Sequence, residues 1–129
     1  MKKTLIALCA AIISITPSYA QNDGEYSVNL KNSTLEWKGT KVTGEHYGTI
    51  NIKDGKLMVE NGQLTKGMLV IDMNSMMVTD IKDEGTNAKL KGHLSSDDFF
   101  GIANHPTATL KINKVEKGEG DNYTIHGDL

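Results

Sequence analysis

The sequence contains no arginine, and all of its basic charge comes from lysine. Without the guanidinium fork, bidentate recognition of phosphate or pyrophosphate is not available. The acidic residues outnumber the lysines, giving a formal charge of −2. A mildly acidic chain without arginine does not suit nucleic acid, whose phosphates are held by basic side chains. It also gains nothing from an anionic membrane surface. There is one cysteine, Cys9, and it lies in the first twenty residues. Leu8, immediately before it, is not the small residue that lipoprotein cleavage requires. No segment after the N-terminal stretch is apolar for long enough to span a bilayer.

That N-terminal stretch is an address, not part of a fold. Lys2 and Lys3 precede an apolar run from Leu5 to Ile15, and Thr16-Pro17-Ser18-Tyr19-Ala20 ends in a small-x-small pattern. Residues 1–20 therefore read as a signal peptide, with residues 21–129 as a single domain. Cleavage after Ala20 removes Cys9, so neither a disulfide nor thiol chemistry is expected in the mature chain. The expected location is the periplasm, with secretion as the alternative.

The remainder alternates with a period of two between turn residues, the signal of antiparallel strands. Tyr26, Val28 and Leu30 alternate with polar residues, as do Leu35, Trp37 and Gly39, and then Gly48, Ile50 and Ile52. Asp54-Gly55 and Asn61-Gly62 read as hairpin turns, with a third turn near Lys66-Gly67. From Met68 to Met73 only Asp72 is polar, which places Leu69, Ile71 and Met73 inside. From Thr86 to about Leu94, Ala88, Leu90 and Leu94 fall at helical spacing, with Thr86 or Asn87 as N-cap. Ser95-Ser96-Asp97-Asp98 ends this short helix. Strands resume with Ala108, Leu110 and Ile112, and again with Tyr123, Ile125 and Gly127 after a polar loop. Gly127-Asp128-Leu129 lies in mid-alternation, and a sheet ending there exposes an edge. The expectation is a domain truncated at its C-terminus.

Five blocks together carry a family resemblance. They are Trp37 to Gly48, including His46-x-Gly48; Ile71-Asp72-Met73-Asn74-Ser75-Met76 with Asp80; His93-Leu94-Ser95-Ser96-Asp97-Asp98-Phe99-Phe100; His105-Pro106-Thr107-Ala108-Thr109; and Gly127-Asp128-Leu129. In this order and spacing the chain resembles the YceI-like family over residues 26 to 129. The resemblance implies an all-β, lipocalin-like, up-and-down antiparallel barrel of about eight strands with one short helix at its mouth. It further implies an apolar lumen holding a polyisoprenoid or similar amphiphile, and more strands beyond Leu129. It brings no catalytic mechanism.

On that basis the expected lumen residues are Trp37, Gly48, Ile50, Leu69, Ile71, Met73, Leu90, Leu94 and Phe99. Gly39 and Gly48 are expected to leave space, and Met58, Met68, Met73, Met76 and Met77 to adapt to an irregular guest. Phe99-Phe100 is read as anchoring the helix end. His46 and His93 are assigned to a head group or the mouth. The alternative is a metal- or redox-linked accessory protein or enzyme using His46 and His93. The four histidines show no short metal-ligand spacing, His105 reads as a turn residue, and His126 points outward. Asp97 and Asp98 read as turn residues, Asp72 as solvent-facing, and Ser75, Ser95 and Ser96 lack a nucleophile elbow. The expectation is a non-enzymatic carrier with no cofactor and no metal. Its partners are a long-chain lipid or isoprenoid and no nucleic acid. The mature chain is expected to have no integral membrane segment, and a homodimer is left open.

Overall fold

Two strands dominate the sheet, and both are far longer than the usual five or six residues. In the computed structural model, which describes residues 22–129, the first of these is β3 (Gly44–Glu60) and the second is β4 (Gln63–Val78). The remaining elements are β1 (Gly24–Ser27), β2 (Leu35–Lys41), α1 (Glu84–Ser95), β5 (Thr107–Lys117) and β6 (Tyr123–Asp128). The signal peptide expected at residues 1–20 lies outside the described residues.

Every strand pair is antiparallel, and the order across the sheet is β1-β3-β4-β5-β6. One edge of β3 serves two partners. β2 pairs with Gly44–Ile50, and β1 pairs with Lys56–Val59 further along the same edge. The fold is thus the expected antiparallel β architecture with one short helix, and its sheet is open, as in an incomplete barrel.

Two expected turns are absent. Asp54-Gly55 and Lys66-Gly67 both lie within strands. They were read as turns from their glycine-containing dipeptides, and in β3 the apolar parity also switches, from Gly48, Ile50 and Ile52 to Leu57 and Val59. A one-residue slip moves every side chain to the opposite face, so the switch needs either a turn or an inserted residue. The structure inserts residues. Ile52 pairs with Ile71 and Asp54 with Val70, which leaves Lys53 extra. Met58 pairs with Lys66 and Val59 with Leu64, which leaves Thr65 extra. A third shift leaves Asn113 extra between Ile112 and Lys114 in β5. Such bulges bend and twist a sheet, and here they keep the apolar face inside along strands that would otherwise run flat.

Gly55 and Gly67 serve close packing instead. A Cβ at Gly55 would lie 2.7 Å from Val28 Cγ2 and 2.8 Å from Leu69 Cδ2, and one at Gly67 would lie 2.5 Å from the Lys56 carbonyl. Asn61-Gly62 is a true hairpin turn. Its φ angles of 52° and 72° are the two left-handed residues of a type I′ turn, whose twist suits the flanking strands.

The helix starts earlier than its apolar spacing suggests. Asp83, not Thr86 or Asn87, is the N-cap, and its Oδ1 accepts the Thr86 amide at 2.8 Å. The sequence reading looked for the cap next to the first apolar position and so missed a polar first turn. No residue of α1 is buried. Leu94 is its main apolar contribution, packing with Leu35, Trp37, Ile71 and Ala108 around the buried Ile50, Met73, Met76 and Ile102. After Ser95 the chain folds back on the helix end. The Phe100 amide donates to the Leu94 carbonyl and the Ile102 amide to that of Ser95, with Gly101 left-handed at φ 53°. The core therefore sits at one end of the sheet, beneath the helix and the segment after it.

Candidate ligand cavity

At that end the β3–β4 ladder is interrupted. Pairing passes from Asn51 opposite Asp72 directly to Thr49 opposite Met77, so Met73 to Met76 face Ile50 alone. Ser75 holds this wide bulge from within. Its Oγ accepts the Asn51 amide at 2.7 Å and donates to the Asp72 carbonyl at 2.6 Å. The Asp72 carboxylate accepts the Asn74 amide at 3.0 Å. Asp72, expected to face solvent, thus spends its carboxylate on the loop and is half-buried. The result is that both Met73 and Met76 turn inward, at 9% and 3% exposure.

The bulge floors a cavity of about 210 Å³ lined by Trp37, Lys38, Gly39, Ile50, Met73, Met76, Leu94, Phe99 and Phe100. The Trp37 indole is fixed by donation from Nε1 to the Met77 carbonyl at 3.1 Å. A Cβ at Gly39 would meet nothing within 4 Å, so this glycine does leave room. Gly48 does not. A Cβ there would lie 1.7 Å from the Met77 carbonyl oxygen and 2.9 Å from Trp37 Nε1. Its missing side chain admits backbone and indole rather than a guest.

Five of the expected lumen residues meet here: Trp37, Ile50, Met73, Leu94 and Phe99. Gly48 lies behind Trp37, and Ile71 packs against the adjoining core. Leu69 is further along the sheet, against Gly55 and opposite Leu110. Leu90 lies elsewhere, in a recess of about 270 Å³ with His46, Ile81, Thr86, Lys89 and His93. Met76, expected as one of the adaptable methionines, and Phe100, expected to anchor the helix end, complete the wall. Strict alternation hides Met76, because only the bulge held by Ser75 brings it to the inner face. Phe100 stacks edge-on against Phe99, with ring centroids 4.8 Å apart.

The recess does bring His46 and His93 together. His46 Nδ1 donates to Asp80 Oδ2 at 2.7 Å, and Asp80 Oδ1 accepts the Tyr47 amide at 3.1 Å. The hydrogen bond from His46, reinforced by the Tyr47 amide, holds the Asp80 carboxyl below its usual range. The His93 ring lies 6.2 Å from that of Phe99, which links the recess to the cavity wall. Among the described residues no three His, Cys, Asp or Glu side chains gather as a metal site.

The remaining candidates have structural partners. His126 pairs with Glu116 at 2.9 Å on the surface, and the His105 amide closes a turn onto Gly101. The Ser95 and Ser96 hydroxyls donate to the Lys91 and His93 carbonyls. Among the described residues no buried polar or charged side chain is found, so what this end of the sheet offers a guest is apolar contact.

Comparison with known proteins agrees with this geometry. The profile of the YceI-like domain matches residues 26–129. The chain belongs to the YceI-like family. It is also 26% identical over 137 residues to a UPF0312 protein of Azotobacter vinelandii (strain DJ / ATCC BAA-1303). That alignment covers 100% of this chain and 66% of the relative, so the chain spans about two thirds of the relative's length. The YceI-like match begins in β1 and runs through β6, taking in the bulge, the helix and the Phe99-Phe100 segment. Among the described residues no helix is long and apolar enough to cross a membrane.

Proposed function

We propose that this YceI-like chain is an exported binding protein that shields a long-chain isoprenoid or similar amphiphilic lipid from water. The observation that carries the reading is the cavity itself, with indole, thioether, phenyl and aliphatic walls gathered at one end of an open sheet. Burying each methylene of a guest is worth about 0.8 kcal/mol, so an apolar chain gains affinity there without exact polar contacts. The methionine floor adapts to kinks and branches.

In this reading one segment of the guest occupies the cavity, and the rest runs over the inner face past Ile71 towards Leu69. Its head group lies towards His46, His93 and Lys89 in the recess. Residues 1–20 direct the chain to the periplasm, where a carrier of this kind keeps an insoluble molecule dispersed. The family supports lipid binding as the common theme, and the chemistry here is binding rather than catalysis.

Native mass spectrometry and solvent extraction of protein purified from cells test the reading. Co-purified lipid is the expected result. Protein that is consistently empty, and that does not bind cis-parinaric acid when this is added, rejects it.

A further inference from the structure

The segment after β4 makes most of its hydrogen bonds within itself and meets the sheet mainly through the apolar side chains of Leu94 and Ile102. Asp83 caps the start of α1, and the amides of Phe100, Gly101 and Ile102 fold back onto its last turn. Glu84–Ile102 is therefore one internally bonded unit. Its polar ties to β4 are few. Asn87 Nδ2 donates to the Val78 carbonyl at 2.9 Å, and Lys91 Nζ reaches Met77 Sδ at 3.6 Å. The helix runs closest to β4 and buries no residue of its own, and Leu94 is its apolar contact with the core that Ile50 and Met73 form. Yet this unit supplies one wall of the cavity, through Leu94, Phe99 and Phe100.

The irregular stretch Thr79–Asp83 leads into the unit, and it is held on the other side, by β3. Asp80 accepts from both the His46 ring and the Tyr47 amide, and the Thr79 amide donates to the Tyr47 carbonyl at 3.0 Å. We propose that Glu84–Ile102 is a lid over the cavity, hinged at Thr79–Asp83, and that the Asp80–His46 contact is the latch fastening this hinge to β3. The latch also sets the His46 ring beneath the helix, where Lys89 and His93 face it across the recess. Breaking the latch frees the hinge while leaving the β3–β4 ladder paired. The proposal rests on the binding reading only for what the lid admits, not for its motion.

Hydrogen–deuterium exchange of the chain read by mass spectrometry, with and without Asp80→Asn, tests it. Exchange over 84–102 is expected to rise about tenfold, the effect of losing one charge-assisted hydrogen bond on a local opening. Exchange in β5 and β6 is expected to stay unchanged. Glu116→Gln breaks the other histidine–carboxylate pair and is expected to leave the lid as it was. Should Asp80→Asn fail to fold, Asn87→Ala cuts the lid's own tie to Val78 and is expected to give the same selective rise. An unchanged lid in a folded variant, or a rise spread evenly over the whole sheet, overturns the proposal. Release of cis-parinaric acid is expected to quicken in parallel. Selective lid opening in a protein that binds no probe leaves the latch standing and rejects the binding reading instead.

Discussion

The two halves of β3 share a strand, a face and an alternating pattern, yet they do different things. Towards its C-terminal end Gly55 is packed against Val28 and Leu69, Leu57 lies opposite Tyr26, and the ladder to β4 runs on with single-residue bulges. Towards its N-terminal end Ile50 faces four residues of β4, and beyond it lies a cavity. The difference comes from the partner strand. Where β4 matches β3 nearly residue for residue, side chains interlock. Where β4 carries extra residues held by Ser75, the inner face gains two methionines and keeps space. The glycines show the same contrast at closer range, with Gly48 filled by its neighbours and Gly39 open.

Substitutions should separate these regions. The largest effect is expected for Gly48→Ala, whose new methyl group meets a backbone carbonyl that has nowhere to go. A loss of about 3–5 kcal/mol by denaturant unfolding is expected, the scale of a severe core clash. Gly55→Ala meets only side-chain carbons of Val28 and Leu69, so about 1–3 kcal/mol is expected. Ser75→Ala leaves the Asn51 amide without its acceptor and is expected to cost about 1–2 kcal/mol. It should also weaken probe binding by displacing Met76, whereas Gly55→Ala should not. Gly39→Leu is expected to change stability by less than about 0.5 kcal/mol while filling the cavity and abolishing cis-parinaric acid binding. Equal loss of binding in Gly39→Leu and Gly55→Ala would erase the contrast.

The smallest effect concerns acid. Asp80 and Glu116 both have folded-state pKa values below their unfolded ones, with Glu116 pushed down to about 2 mainly by Lys114 and then by His126. Each contributes stability above its unfolded pKa, near 4, and loses it as pH falls through the folded value. Both pairs should therefore hold at pH 5 and fade only in stronger acid. The Glu116 contribution should shrink further in salt, because it lies in the open. NMR titration of the two carboxyl groups, with and without salt, checks this.

Much of the fold could be read from the residues. Alternation revealed the strands, Asn61-Gly62 marked the central hairpin, and three apolar positions located the helix. Apart from the helix cap, what escaped the reading turns on strand pairing. A parity switch in the sequence has two physical solutions, a turn or an inserted residue, and the local residues at Asp54-Gly55 and Lys66-Gly67 suit either. Only strand pairing decides, and pairing is long-range. For the same reason alternation hid the inward turn of Met76, and Gly48 was credited with space that the Met77 backbone occupies. Trp37, Ile50 and Met73 were legible because each keeps the inward parity of its own alternation, and Leu94 because it falls at helical spacing.

The Asn61-Gly62 turn bears on the order of assembly. A hairpin closes its shortest loops first, because loop entropy rises with the length of chain enclosed. Zipping from this turn joins Glu60 to Gln63 at once, while Gly48 and Val78 meet only at the far end of the ladder. The rungs bordering the cavity thus enclose the most chain, form last, and are the first to part when the ladder frays. The cavity therefore borders the part of the sheet that is kinetically youngest.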